Sequence, residues 1–214
     1  AFILTHGEAR LLIASGPFTT VVDQALARMD DPPLLIGIDE PPGSSYPPVG
    51  EKEYEAFLAE GDAAYDWQPP ADEWQALALN YTSGTTGNPK GVVYHHRGAY
   101  LNALGNVLAC GLREDSVYLW TLPMFHCNGW TYTWAVTAVG GTHVCLRKVD
   151  PSMIFPMIKE HKVTHMCGAP IVLNSLVHAP DAVKTAFEQT VEVATGGAAP
   201  PSAVISAMER MGFR

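Results

Sequence analysis

Short apolar runs alternate with helical patterns along the chain, and this alternation restricts the fold more than any other feature. RLLIAS at Arg10–Ser15 reads as a strand, Thr19–Met29 as an amphipathic helix, and LLIGI at Leu34–Ile38 as the next strand. The same rhythm returns at Ala76 and continues to Met211. Strands that alternate with helices predict an α/β fold with largely parallel sheets flanked by helices.

Two irregular segments interrupt this rhythm. One is the Pro/Gly-rich stretch Pro41–Gly50, and the other is a polar loop with Trp67, Pro69 and Pro70. Because proline and glycine end regular elements, we place a boundary at the second of these segments, after Pro70. We expect 1–70 to form a strand–helix–strand portion of one subdomain plus a linker. We expect 71–214 to form a second α/β subdomain, truncated at its C-terminal end.

Composition excludes several classes of protein. With 47% hydrophobic and 16% charged residues, the 214-residue chain has the profile of a folded protein. Its net charge of −9 disfavours nucleic-acid partners, which require excess Lys and Arg. No apolar run approaches the length of a membrane span. The cysteines form no CxxC pair, which favours reduced thiols and a cytoplasmic location: Cys110, Cys127, Cys145 and Cys167.

The segment Tyr81–Gly91, YTSGTTGNPKG, concentrates the groups that bind phosphate. Glycines let backbone N–H groups turn inward around an anion, hydroxyls add donors, and a lysine adds a mobile positive charge. The hydroxyls are Thr82, Ser83, Thr85 and Thr86; the glycines are Gly84, Gly87 and Gly91; and the lysine is Lys90. The segment therefore predicts a phosphate-binding loop after a strand.

Two other interpretations apply to this segment. The same residue types form ordinary hairpin turns. The common nucleotide-binding loop GxxxxGK[ST] is rejected by spacing, because Gly84 and Gly87 are three residues apart, Lys90 follows Pro89, and no Ser or Thr follows Lys90. The loop is therefore a phosphate loop of another kind, if it binds phosphate at all.

Three strings together resemble one family. YTSGTTGNPKGV resembles the phosphate loop of the adenylate-forming superfamily, which comprises acyl-CoA synthetases, luciferases and peptide-synthetase adenylation domains. LPMFHCNGW at Leu122–Trp130 resembles the FHxNGW segment of the acyl-CoA synthetase branch, and ATGGAAP at Ala194–Pro200 resembles its glycine-rich adenine turn. The region is similar to bacterial and plant ligases for short- or medium-chain and methylthio-propionate-like acids. The chain is thus identified as part of the large N-terminal domain of an AMP-forming acyl-CoA synthetase.

The resemblance implies a two-step reaction with ATP, Mg²⁺ and CoA. A carboxylate and ATP give acyl-adenylate and pyrophosphate, and CoA then displaces AMP. Lys90 and Thr82 would be catalytic, His126 and Trp130 would shape the acyl pocket, and no protein metal ligand is assigned. The ATP-binding residues would be Thr82, Ser83, Gly84, Thr85, Thr86, Gly87, Lys90, Gly196, Gly197 and Ala198. Partners would be small molecules only, and a homo-oligomer of the parent is left open.

Some interpretations stay open at the level of sequence. From the residues alone, His126 also fits a structural or surface role, Trp130 fits core packing, and Gly196–Gly197 fits a tight turn. A non-catalytic ATP-binding module and an amino-acid adenylation domain are the alternative functions, and FHxNGW speaks against the second. The family's YGxTE-like string, with its acidic magnesium ligand, is not found here, so we expect the 214-residue chain itself to be inactive.

The segment Gly129–Val139 is predicted to be a helix. A helix there would place Trp130 and Trp134 on one face, and would let His126 share a face with Trp130. Two indoles beside an acyl tunnel would fill space that a long chain needs. This predicts a short- to medium-chain or small branched carboxylate as substrate.

Overall fold

The computed structural model describes residues 1–83 and 87–214. These residues fall into two units, one of Ala1–Asp72 with Tyr81–Val93 and one of Glu73–Asn80 with Tyr94–Arg214. No helix within the described ranges combines the length and the apolar character that a membrane crossing requires.

The first unit is built on a small parallel sheet. Its strands are β1 (Leu11–Ser15), β2 (Leu34–Ile38) and β3 (Lys52–Glu53), in the order β1-β2-β3. Its helices are α1 (Phe2–His6), α2 (Thr19–Leu26), which follows a 3₁₀ turn at Gly16–Phe18, and α3 (Tyr54–Leu58). A small core of Ala14, Val22 and Val49 lies between β1, α2 and the chain that enters β3. The predicted helix at 19–29 is thus present but ends three residues early.

Two further strands flank the predicted phosphate loop. Strand β4 spans Ala76–Thr82 and β5 spans Lys90–His95, and together they form a two-stranded sheet. His95, the last residue of β5, caps the next helix, because its Nδ1 accepts a hydrogen bond of 2.9 Å from the Gly98 N–H. The histidine pair at 95–96 therefore begins a helix.

The second unit contains a four-stranded sheet in the order β7-β6-β8-β9, and every described strand pair in it is parallel. The strands are β6 (Val117–Leu119), β7 (Thr142–Val144), β8 (His165–Gly168) and β9 (Glu192–Thr195). The helical segments are α4 (His96–Cys110), α5 (Cys127–Trp130), α6 (Tyr132–Ala138), α7 (Pro151–Glu160), α8 (Pro170–Val177) and α9 (Ser202–Arg210). The predicted α/β architecture with parallel sheets is confirmed.

Alternating side chains of this sheet supply two buried cores. Leu119 and Met166 pack with apolar residues of α7, α8 and α9, among them Ile154, Ile158, Leu173 and Val204. Tyr118, Trp120 and Cys167 lie in the opposite core with residues of α4 and α6, among them Ala103, Tyr132 and Ala135. Each such large apolar side chain contributes about 1.5–3 kcal/mol when it leaves water. The sheet is therefore fixed on both faces, and its carboxyl edge is a firm base for a site.

Strand β6 is shorter than the predicted strand at 117–122. Trp120 still donates its N–H to Val144 O, but the Thr121 N–H turns back to Leu119 O at 2.9 Å. The chain therefore leaves the sheet after Leu119, and the LPMFH segment lies beyond the end of the strand.

Candidate functional site

The predicted phosphate loop starts at the end of β4 and runs into β5. Thr82 is the last residue of β4, Ser83 follows it, and Lys90 is the first residue of β5; all three are exposed. Gly87 has a φ of 153° and open space where a Cβ would be. The predicted residues Gly84, Thr85 and Thr86 lie outside the described residues. Within the described part of the loop, hydroxyl and ammonium groups are thus presented to solvent.

The strand end before this loop is fixed by a contact that sequence reasoning did not find. The Tyr81 hydroxyl lies 2.6 Å from His6 Nδ1, and the two rings meet edge to face with centroids 5.7 Å apart. Helix α1 therefore anchors the residue directly before Thr82. No local sequence signal links positions 75 residues apart.

The glycine-rich turn follows β9 at the carboxyl edge of the four-stranded sheet. Gly197 has a φ of 85°, and no atom lies within 4 Å of the place where its Cβ would be. Ala198 is exposed. A flat ring can approach a backbone that has this open space, so the turn can accept a heterocyclic base at Gly197 and Ala198.

Gly196 differs from its neighbour because its α-carbon is covered. A Cβ built on Gly196 would lie 2.6 Å from Trp130 Cζ2 and nearer still to Cη2, distances that real Cβ atoms do not show. The half-buried indole of Trp130 therefore lies directly on the backbone of Gly196. The structure brings together these two predicted site residues, 66 positions apart in sequence.

Trp130 reaches Gly196 from a left-handed turn. The φ angles are 48° at Cys127, 44° at Asn128, 58° at Gly129, 51° at Trp130 and 63° at Thr131. L-residues disfavour this conformation by about 1–2 kcal/mol each. Five consecutive residues in it form a local structure that the rest of the unit must stabilise.

The predicted helix over 129–139 is present only from Tyr132 to Ala138, and its first three residues belong to the left-handed turn. The right-handed helix is α6, and it begins only at Tyr132 after Thr131. Trp130 and Trp134 therefore do not share a helix face, and neither do His126 and Trp130. The spacing of apolar residues in a sequence does not show whether the backbone is right-handed or left-handed. The pattern therefore could not predict the left-handed turn.

Two asparagines of α4 hold the turn. Asn106 Nδ2 donates to Trp130 O at 2.5 Å and to Thr131 Oγ1 at 2.9 Å, and Asn102 Nδ2 also donates to Thr131 Oγ1 at 2.9 Å. Positions 102 and 106 are one helical turn apart, so both amides face the same side of α4. Thr131 is only 7% exposed, so its hydroxyl needs such partners.

Below the turn lies Trp120. A Cβ on Gly129 would lie 2.6 Å from Trp120 Cζ3, so glycine is required both for this close contact and for the positive φ. The Trp120 Nε1–H donates to His143 Nδ1 at 2.9 Å, and the two rings stack with centroids 5.8 Å apart. The Trp120 ring that packs against Gly129 is therefore held in place by its hydrogen bond to His143.

His126 lies at the start of this turn and is exposed. Its N–H donates to Pro123 O at 3.1 Å, and its carbonyl accepts from the Gly129 N–H at 2.9 Å. The backbone of His126 thus closes the turn, while its imidazole projects into solvent. The neighbouring Phe125 is 80% exposed. His126, which was predicted to shape the acyl pocket, therefore lies in an open loop.

A cavity of about 670 Å³ lies on the α4 side of the sheet. Its lining includes Tyr118, Tyr132, Cys110 and Ala194. Trp130 and Ala194 both pack against the core that contains Tyr118 and Tyr132. The cavity and the Trp130 contact therefore lie on the same side of the sheet.

The lining of this cavity carries the charged side chains of Arg113, Glu192 and Arg214 as well as two tyrosine hydroxyls, which stay protonated. Cys110 Sγ lies 2.8 Å from Tyr132 Oη. Burial raises the pKa of the Tyr118 and Tyr132 hydroxyls well above their ordinary value, and it also raises the pKa of the Cys167 thiol. Tyr118 and Tyr132 therefore supply no phenolate nucleophile near neutral pH.

The part of the chain that the structure describes contains no group of three or more His, Cys, Asp or Glu side chains that could hold a metal ion. The described residues instead present exposed hydroxyl and ammonium groups at the loop after β4, and an open backbone at Gly197 next to Gly196, which Trp130 covers.

Known proteins resemble the chain over its whole length. The family model described as AMP-binding enzyme matches residues 1–214. A peroxisomal acetate/butyrate–CoA ligase of Arabidopsis thaliana is 48% identical and covers 100% of the chain, and a 2-methylpropanoate–CoA ligase of Humulus lupulus is 42% identical, also over 100% of the chain. The chain spans 40% and 39% of the lengths of these two relatives.

A solved structure shows the same fold. The inhibitor-bound N-terminal domain of FACL13 from Mycobacterium tuberculosis superposes with a TM-score of 0.78 at 25% identity, covering 99% of this chain and 50% of that one. The family model, the relatives and this structure agree with the three strings and with the observed α/β architecture. The chain belongs to the AMP-binding enzyme family.

Proposed function

We propose that the protein containing this chain is an AMP-forming acyl-CoA synthetase that activates a short carboxylic acid. The observation that carries the proposal is the match of the whole chain to the AMP-binding enzyme family, with relatives at 42–48% identity that are named CoA ligases. In this reaction a carboxylate oxygen attacks the α-phosphorus of ATP and the bond to pyrophosphate breaks. The CoA thiolate then attacks the acyl carbon, and AMP leaves.

The loop after β4 fits the phosphates of ATP. Thr82, Ser83 and Lys90 are exposed, and no described residue forms a hydrogen bond or ion pair with the Lys90 ammonium. Lys90 would neutralise charge on the departing pyrophosphate, and the hydroxyls would donate to phosphate oxygens; Gly84, Thr85, Thr86 and Gly87 are proposed for the same loop. Magnesium would supply further charge neutralisation as a counter-ion of these phosphates.

The turn after β9 fits the adenine and the acyl group. Gly197 and Ala198 leave their backbone open, which suits a flat base. Gly196 is instead covered by Trp130. We assign the open part of the turn to AMP and the covered part to the wall of the acyl pocket.

The size of the acid follows from Trp130. An acyl chain that entered at Gly196 would meet the indole of Trp130. The ring therefore limits the pocket to short- and medium-chain acids. The relatives named for acetate, butyrate and 2-methylpropanoate support the same size range. His126 is proposed at the entrance, since its ring lies in the exposed loop.

The test is to express the protein at its full natural length and supply it with ATP, Mg²⁺, CoA and one acid at a time. We expect acyl-CoA and AMP to form in equal amounts with acids of two to about eight carbons. ADP as the product would contradict adenylate formation. ATP binding without any thioester would favour the non-catalytic module, and a preference for amino acids without CoA would favour an amino-acid adenylation domain.

We also propose a cytoplasmic location, which the free thiols of Cys110, Cys127, Cys145 and Cys167 support. The Arabidopsis relative is named as peroxisomal. Cell fractionation decides between the two, and recovery with peroxisomes would contradict the proposal.

A further inference from the structure

The left-handed turn Cys127–Thr131 needs an external support. Four of its five residues carry a Cβ, and each is disfavoured by about 1–2 kcal/mol in this conformation. The turn's backbone bonds include Gly129 N–H to His126 O and Thr131 N–H to Asn128 O, and they do not remove the steric cost of the left-handed conformation. Contacts from outside the turn must therefore stabilise it.

Asn106 supplies the most direct contact. Its amide donates one hydrogen to the carbonyl of Trp130 and the other to Thr131 Oγ1. A carbonyl oxygen cannot donate, so the nitrogen of the amide must face it, and this fixes the orientation of the side chain. Asn106 is thus bonded to the backbone of the residue whose ring covers Gly196.

Asn102 forms a less specific hydrogen bond with the turn than Asn106 does. It donates only to the hydroxyl of Thr131, and a hydroxyl can rotate and donate in return. If the side chain at position 102 could only accept, the Thr131 hydroxyl could still donate to it. If the side chain at position 106 could only accept, it would face the carbonyl oxygen of Trp130, which cannot donate, and the two oxygens would repel each other. The two asparagines allow a comparison of matched variants.

We propose that Asn106 is a positioning residue that sets acyl-chain length by holding Trp130 against Gly196. Neither asparagine need touch a substrate for this. The proposal rests on the proposed function, because it takes Trp130 as the end of the acyl pocket. Its expected effect lies in the carboxylate KM and the chain-length preference, while the KM for ATP stays unchanged.

The test variant is Asn106→Asp, which keeps the shape of the side chain and removes both donors. In the protein at full natural length, we expect the ratio of kcat/KM for dodecanoate, which is longer than the pocket closed by Trp130 accepts, to that for butyrate to rise about tenfold, since a displaced indole opens space for several methylenes. Asn102→Asp should change the ratio less than about twofold. Gly105→Ala, on the same helix with open space around it, is the control for helix changes.

Two further variants keep the test decisive. Asn106→Ala introduces no charge and is favourable for a helix, so it covers the case in which Asn106→Asp fails to fold. In a Trp130→Ala background, Asn106→Asp should no longer change the ratio, because the ring it positions is absent. An equal shift in both backgrounds would show a general structural effect and overturn the proposal.

The outcomes distinguish a failure of the proposed function from a failure of the role given to Asn106. If the unmodified protein forms no thioester from any acid, the proposed function fails, and this inference fails with it. If the unmodified protein is active but folded Asn106→Asp and Asn106→Ala keep its chain-length preference, only the role of Asn106 is overturned. A shift that depends on Trp130 supports both.

Discussion

Trp120 donates its indole N–H to Nδ1 of His143 across 2.9 Å, so His143 must be unprotonated at that nitrogen. The other ring nitrogen, Nε2, then carries the proton and faces Thr137 Oγ1 at 3.0 Å. Because Trp120 lies beneath Gly129, this histidine supports the turn that carries Trp130.

The first prediction concerns stability and pH. Burial lowers the pKa of His143 below its ordinary value of 6.5, so the folded state binds a proton less readily than the unfolded state. The stability contributed by neutral His143 is complete above about pH 6.5 and is lost as the pH falls from there through the folded pKa. His165 has a pKa lowered mainly by burial and acts in the same direction.

Urea unfolding of the chain at several pH values, followed by tryptophan fluorescence, measures this effect. His143→Gln should show a smaller loss of stability between about pH 7 and 5 than the unmodified chain, because a glutamine can accept from Trp120 without titrating. Identical pH profiles for the two proteins would contradict the role given to His143.

The second prediction concerns the contact between Trp130 and Gly196. Gly196→Ala places a Cβ inside the indole, so we expect it to destabilise the chain by about 1–3 kcal/mol. Gly105→Ala, in α4 with nothing nearby, should instead stabilise the chain by about 0.5–1 kcal/mol. Chemical unfolding of both variants tests the difference, and equal stability would show that the ring moves aside at no cost.

The third prediction concerns the acid substrate. Each methylene that fits is worth roughly 0.8 kcal/mol of burial, so kcat/KM should rise with chain length and then drop sharply after about eight carbons. Trp130→Ala should move the drop to longer acids. A series of acids from two to sixteen carbons on the protein at full natural length measures both, and values still rising at sixteen carbons would contradict a pocket closed by Trp130.

Sequence reasoning reached the fold and the family because both depend on local signals. Alternating apolar runs identified the parallel α/β architecture, and three strings identified the AMP-binding family. It missed the left-handed turn at 127–131, since a change of backbone hand leaves no periodic pattern and is stabilised by Asn106, which lies on a different helix. The contact of Trp130 with Gly196 was missed for the same reason, because it joins distant segments.

Lys90 provides the most direct measurement. In the protein at full natural length, Lys90→Ala removes the charge that we propose to act on the departing pyrophosphate, so adenylate formation, followed by carboxylate-dependent pyrophosphate–ATP exchange, should slow by roughly 10–1000-fold, or about 1.4–4 kcal/mol. Lys159→Ala, at an exposed position near the end of α7, should leave the exchange rate unchanged. Thioester formation from preformed acyl-adenylate and CoA should slow much less in Lys90→Ala, because no pyrophosphate leaves in that step. Equal loss in the two half-reactions, or an unchanged exchange rate, would contradict the assignment of this loop to the phosphates of ATP.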